Sequence, residues 1–140
     1  MKVLIDTSIW SVALRKKDNK LSSKDKRLKE HLIELIQDTR VIIIGPIRQE
    51  LLSGISNEDS YNNLKEHLEA FEDISILSSD YEKAAYFFNI CMKKGIQGSH
   101  TDFLICAIAN NHQLPVFTTD KDFFNYNKYI DIEVYQVPEK

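Results

Sequence analysis

Cysteine is scarce in this chain, with two in 140 residues. Cys91 and Cys106 stand fifteen positions apart on separate helical stretches, and neither has the spacing of a thiolate metal site or a redox pair. Both read as small buried hydrophobes, which suits a reducing compartment. Histidine is thin as well: His31, His67, His100 and His112 show no HxxxH or HxH spacing, which argues against zinc and puts each first at the surface. No Gly-, Pro- or Ser-rich linker, internal repeat or low-complexity tract is present, so a second domain has nowhere to begin and residues 1–140 are expected to form one domain. Long apolar runs are missing too. Met1-Lys2 leads into only Val3-Leu4-Ile5 before Asp6, too short for a signal-peptide core or a membrane span, and a cytoplasmic protein with no membrane partner is the expectation. With 43% hydrophobic and 28% charged residues the composition is that of an ordinary globular protein, and a chain of this length needs no staple.

An excess of positive charge is also absent: the net charge is −3, which argues weakly against a nucleic-acid partner. Its distribution says something different. Between Arg15 and Lys29 eight basic residues (Arg15, Lys16, Lys17, Lys20, Lys24, Lys26, Arg27 and Lys29) face only Asp18 and Asp25, a local charge of +6 that leaves −9 for the rest. A basic segment beside an acidic site suits an enzyme that holds a polyphosphate backbone, and Lys24, Lys26 and Arg27 are its candidate RNA contacts. A solvated helix and loop is the plainer use of the same residues.

What the chain does have is a series of apolar strands and helices punctuated by acids. Lys2 to Ile5 predicts a buried strand, followed by a helix from about Thr7 to Leu14. Leu28, Leu32, Leu35 and Ile36 repeat at helical spacing, ending near Asp38, and the β-branched run Val41 to Ile44 predicts a second strand. Pro46 suits a first helical turn, with Ile47, Leu51 and Ile55 facing inward. Leu64, Leu68 and Phe71 continue a helical period, Ile74 to Leu77 predicts a short strand, and Ser78 or Ser79 caps a helix to about Lys94 that Gly95 closes. Thr101 to Asn110 predicts a buried helix, Leu114 to Thr118 a fourth strand, Phe123-Phe124 a short helix, and Ile132 to Val137 a fifth strand. Strands alternating with helices imply an α/β fold with a mainly parallel sheet covered on both faces, and ligand sites in such folds lie past the carboxyl ends of the strands.

Asp6 and Asp120 fall at such ends, Asp102 opens the buried helix, and Glu50 sits in the first turns of another, with Asp122 beside Asp120. Two ionised carboxylates about 4 Å apart repel by roughly 1 kcal/mol in water and about 4 kcal/mol in a partly buried site. Four together either hold protons or bind a divalent cation. Each also has an ordinary use. Asp6 or Ser8 suits a helix cap, Asp102 stands three after Ser99 as in a capping box, Glu50 suits a solvated helix face, and Asp120 with Asp122 suits a turn.

The order and wording of these segments carry a resemblance. Val3-Leu4-Ile5-Asp6-Thr7-Ser8-Ile9-Trp10, Glu50-Leu51-Leu52-Ser53-Gly54, Thr101-Asp102-Phe103-Leu104-Ile105-Cys106-Ala107 and Thr118-Thr119-Asp120-Lys121-Asp122-Phe123 resemble, in order, the four acidic motifs of PIN-domain ribonucleases, most closely the VapC-type toxins of bacterial toxin–antitoxin pairs. Cys106 departs from them, standing where the family commonly has alanine. The resemblance implies a three-layer α/β/α domain with four to five mainly parallel strands, and an Mg²⁺- or Mn²⁺-dependent endonuclease that hydrolyses RNA with a metal-activated water. It further implies a homodimer and a cognate antitoxin that blocks the acidic site and represses the shared operon.

Separately from that resemblance, oxygen ligands without His or Cys select hard cations, and Mg²⁺ touches few carboxylates while keeping several waters. Asp6 and Asp102 are then the candidate direct ligands. Glu50 and Asp120 hold metal-bound waters or a second ion, all four counting as catalytic, while Ser8, Thr118 and Asp122 support them. No organic cofactor is expected. A rival is a flavodoxin-like signalling or scaffold module that binds Mg²⁺ and accepts phosphate; it wants an acidic doublet after its first strand, and this chain offers Asp6-Thr7.

Overall fold

Val3, Leu4 and Ile5 are fully buried, as an apolar run must be when a strand has both faces covered. They form β1 (Val3–Ile5), one of two inner strands of a computed structural model that describes residues 1–15 and 18–139. Lys16 and Lys17 of the basic segment lie outside the described residues. Beside β1 run β2 (Val41–Ile43) and β4 (Val116–Phe117), with β3 (Glu72–Asp73) beyond β2, giving the order β3-β2-β1-β4. Every pair is parallel, with Val3 opposite Val41, Leu4 opposite Val116 and Ile42 opposite Glu72.

Around this sheet the described residues form α1 (Thr7–Arg15), α2 (Ser23–Gln37), α3 (Gly45–Leu52), α4 (Glu58–Glu69), α5 (Ser78–Lys93), α6 (His100–His112) and α7 (Lys121–Tyr126), plus a 3₁₀ turn at Asp18–Lys20. The result is the expected three-layer α/β/α arrangement. Phe103 to Ala109 of α6 are buried without interruption, as the all-apolar segment demands.

Five local expectations differ. α5 is capped at Leu77 rather than by Ser78 or Ser79, which lie within the helix, and Asp80 Oδ2 accepts the Leu77 amide at 2.9 Å. α2 begins at Ser23, ahead of the Leu28 repeat, because Ser22 Oγ accepts the Asp25 amide at 3.0 Å; Lys24, Lys26, Arg27 and Lys29 therefore occupy its first two turns. α3 stops at Leu52, short of Ile55, because Ser53 turns extended and Gly54 adopts φ +85°, a left-handed conformation. The third strand is Glu72–Asp73 rather than Ile74 to Leu77: it is an exposed edge whose pairing is set by backbone, while Ile74 and Ile76 pack against the core. The fifth strand shrinks to one parallel bridge, Val116 with Val134. β4 is only two residues long, so its outer edge has room for little more.

Candidate metal centre

Asp6 follows β1, and its amide donates to Phe117 O at 2.9 Å, carrying the sheet pairing one residue past the strand. That places the carboxylate at the sheet's carboxyl end, only 6% exposed. A desolvated carboxylate requires donors. Ser8 Oγ and Thr118 Oγ1 both donate to Asp6 Oδ2, at 2.9 and 2.8 Å. Each hydroxyl in turn accepts a backbone amide, Ser8 from Thr119 and Thr118 from Asp120, both at 3.0 Å. With both hydroxyl protons spent on Asp6, the 3.3 Å approach of Ser8 Oγ to Thr118 Oγ1 is a contact within the cradle and not a third bond.

Asp120 ends this loop and caps α7, its Oδ1 accepting the Asp122 amide at 2.9 Å. Asp102 sits in the first turn of α6, with its amide on Ser99 Oγ at 3.0 Å. Its carboxylate accepts the Tyr126 hydroxyl at Oδ2, 2.8 Å away. Asp102, Asp120 and Asp122 each offer an oxygen within 4.8 Å of the other two. Burial raises the Asp102 carboxyl pKa above the ordinary 3.8; hydrogen bonds from Tyr126 and Ser99 oppose that, and the charges of Asp120 and Asp6 add to it. The Tyr126 phenol is pushed upward by its own burial first and by Asp102 next.

Glu50 is exposed on α3 and accepts the Thr7 hydroxyl at 2.8 Å. It lines a cleft of about 460 Å³ with Thr7, Pro46, Gln49, Ser53 and Thr101, the neighbour of Asp102. The predicted acids thus gather around one end of the sheet in two degrees of closeness. Asp102 and Asp120 are grouped with Asp122, which the sequence reading places in support. Asp6 and Glu50 stand outside that group, the first held by two hydroxyls and the second by Thr7. Lys24, Lys26 and Arg27 are exposed on α2, and Arg27 donates to Pro138 O at 2.9 Å. His100 opens α6 and stacks on Phe88 with ring centroids 5.0 Å apart.

Sequence reading overlooks Tyr126. The signal was available: Phe123 and Tyr126 share a helical face, and a buried tyrosine needs a partner for its hydroxyl. The donor set of the group is carboxylate oxygen alone, with mutual repulsion that a cation relieves, so these residues fit a hard divalent ion.

Comparison with known proteins bears on the family and the fold. The family profile described as PIN domain matches residues 3–129. No match to a curated protein sequence is found. FitAcB from Neisseria gonorrhoeae is similar in structure at TM-score 0.70 and 23% identity, over 96% of each chain. VapBC-1 from nontypeable Haemophilus influenzae is similar at TM-score 0.74 and 17% identity, over 96% of this chain and 97% of the other. VapBC2 from Rickettsia felis, solved bound to a DNA fragment from its promoter, gives TM-score 0.73 and 15% identity over 96% and 98%. With its profile match spanning nearly the whole chain and its acids gathered at the end of a parallel sheet, the protein belongs to the PIN domain family.

Proposed function

We propose that this protein is a metal-dependent RNA endonuclease that serves as the toxin of a toxin–antitoxin pair in the cytoplasm. The observation that carries the reading is the gathering of Asp102, Asp120 and Asp122, with Asp6 close enough for its charge to act on Asp102, in a chain of the PIN family. Asp6 and Asp102 are the proposed direct ligands of Mg²⁺ or Mn²⁺, with Asp120, Asp122 and Glu50 holding its waters or a second ion. When bound, the cation supplies a lowered pKa to water and charge neutralisation at the scissile phosphate.

The chain's own residues have defined tasks in this reading. Ser8 and Thr118 fix the Asp6 carboxylate in one orientation, so no rotation is needed when the cation arrives. The Thr7 hydroxyl holds Glu50 across the cleft from Thr101. Lys24, Lys26 and Arg27 supply positive charge for the phosphate backbone. A cognate antitoxin and a homodimer complete the proposal. The antitoxin is supported by a structural neighbour solved as a toxin–antitoxin complex from Klebsiella pneumoniae. The phosphoryl-acceptor reading is disfavoured, since the position after Asp6 carries Thr7, whose hydroxyl is committed to Glu50.

The test is cleavage of single-stranded RNA by the purified protein. Cutting that requires Mg²⁺ or Mn²⁺ and disappears in Asp6→Asn and in Asp102→Asn, with circular dichroism unchanged, supports the assignment. Equal cutting by both variants and the parent sinks it.

A further inference from the structure

Tyr126 is fully buried, yet its phenol must hydrogen-bond to something. Its partner is Asp102 Oδ2, at 2.8 Å. The position of that phenol is fixed from several sides. The ring packs against Phe103 and Phe123, with centroids 4.8 and 5.4 Å away. It rides on α7, whose first turn is tied by the Asp120 cap. Gly98 provides the space: a Cβ there would collide with the Tyr126 oxygen and stand 2.8 Å from Phe103 Cε2. A hydrogen-bonded phenol held this tightly is a fixed point against which a carboxylate can be aligned.

We propose that Tyr126 is a positioning residue for the metal site, holding Oδ2 of Asp102 so that the carboxylate keeps one orientation in which it would receive the cation. This rests on the reading of Asp102 as a metal ligand. The terminal torsion of an aspartate is broad and roughly two-fold, so an unrestrained carboxylate samples many planes. One short bond to one oxygen removes that freedom, as the paired hydroxyls of Ser8 and Thr118 do for Asp6. Partners of ligating carboxylates typically govern 10- to 100-fold in metal affinity or activity. Because α7 carries both Asp120 at its cap and Tyr126 at its end, the same helix aligns two of the acids at once.

The experiment measures Mn²⁺ affinity of the full chain, by the paramagnetic resonance of free Mn²⁺, for the parent, Tyr126→Phe, Asp102→Asn and Phe88→Leu. Phe88→Leu loosens the same aromatic cluster, since Phe88 packs edge-on against Phe103 at 5.6 Å, but leaves the phenol in place. The proposal expects Tyr126→Phe to weaken Mn²⁺ binding about 10-fold, and Phe88→Leu to bind close to the parent because packing alone does not set the carboxylate plane. Parent-like affinity in Tyr126→Phe overturns it, and so does an equal loss in Phe88→Leu, which would assign the effect to packing. If the parent binds no Mn²⁺, or Asp102→Asn binds it as well as the parent, Asp102 is no ligand and both readings fall; those arms are separate from the Tyr126 arm. As an independent route, Gly98→Ala is expected to weaken Mn²⁺ binding while keeping the tyrosine, and unchanged affinity there counts against the alignment.

Discussion

Asp6 and Thr118, 112 positions apart, meet in a 2.8 Å hydrogen bond within the carboxyl end of the sheet, and Thr118 is as buried as the carboxylate it serves. The bond joins the turn after β1 to the turn after β4. Thr118→Val keeps the shape but deletes the donor to Asp6 and the acceptor for the Asp120 amide. Unsatisfied buried groups cost about 1–3 kcal/mol each, so chemical denaturation is expected to show a loss of that order, largely restored by Thr118→Ser. A Thr118→Val protein that unfolds with the parent contradicts the cradle.

Carboxylates crowded as Asp102, Asp120 and Asp122 are repel one another and lower the stability of the protein when no cation neutralises them. Asp120→Asn removes one charge from the group, and asparagine caps helices as well as aspartate does, so α7 keeps its start. Relief of repulsion of about 1 kcal/mol corresponds to a melting midpoint about 3 °C higher without metal. Added Mn²⁺ is expected to reverse the order, stabilising the parent more than the variant. The comparison needs only thermal melts of the two proteins with chelator and with Mn²⁺; a variant that melts lower under chelator refutes the crowding.

Burial, followed by the charges of Asp120 and Asp6, raises the Asp102 pKa above 3.8. A carboxyl whose folded pKa lies above its unfolded value binds a proton more tightly when folded. Its contribution therefore favours the folded state at low pH and is lost as pH climbs from about 4 through the raised value. Asp102→Asn has no such proton to lose. The melting difference between Asp102→Asn and the metal-free parent is thus expected to shift in favour of the variant between pH 4 and pH 7; a constant difference across that range removes the argument.

Much of this fold is written locally. β1 and β2 announce themselves because Val3 to Ile5 and Val41 to Ile43 are buried on both faces and so must be apolar throughout. The start of α2 hides because its cap, Ser22 with Asp25, precedes the apolar period. β3 hides because an edge strand pairs through backbone and tolerates Glu72 and Asp73. The site was legible as a set of acids at strand and helix ends, but its grouping was not. Asp122 joins Asp102 and Asp120 only because α7 turns its first residues toward the start of α6, a relation between segments twenty residues apart that no periodicity encodes. Tyr126 was hidden by the same circumstance, since its phenol is understood only once Asp102 is known to lie beside it.

The connection between α2 and β2 sets where the first turns of α2 lie. Only Asp38, Thr39 and Arg40 separate them, so α2 ends at the edge where the strands begin, and its first turns, carrying Lys24 and Lys26, run toward the edge that holds Asp6 and Asp120. Those two lysines are exposed, whereas Arg27 ties the tail through Pro138 O; the informative change is Lys24→Gln with Lys26→Gln. Measured in an Asp102→Asn background to prevent cutting, single-stranded RNA is expected to bind more weakly. Its dependence of log affinity on log salt should flatten by about 1.4, at roughly 0.7 for each single-strand phosphate that a lysine no longer neutralises. The charge explanation requires the slope to move: a weaker affinity with an unaltered slope would mean the lysines touch something other than phosphate, and an unaltered affinity would return the first turns of α2 to the role of a solvated surface.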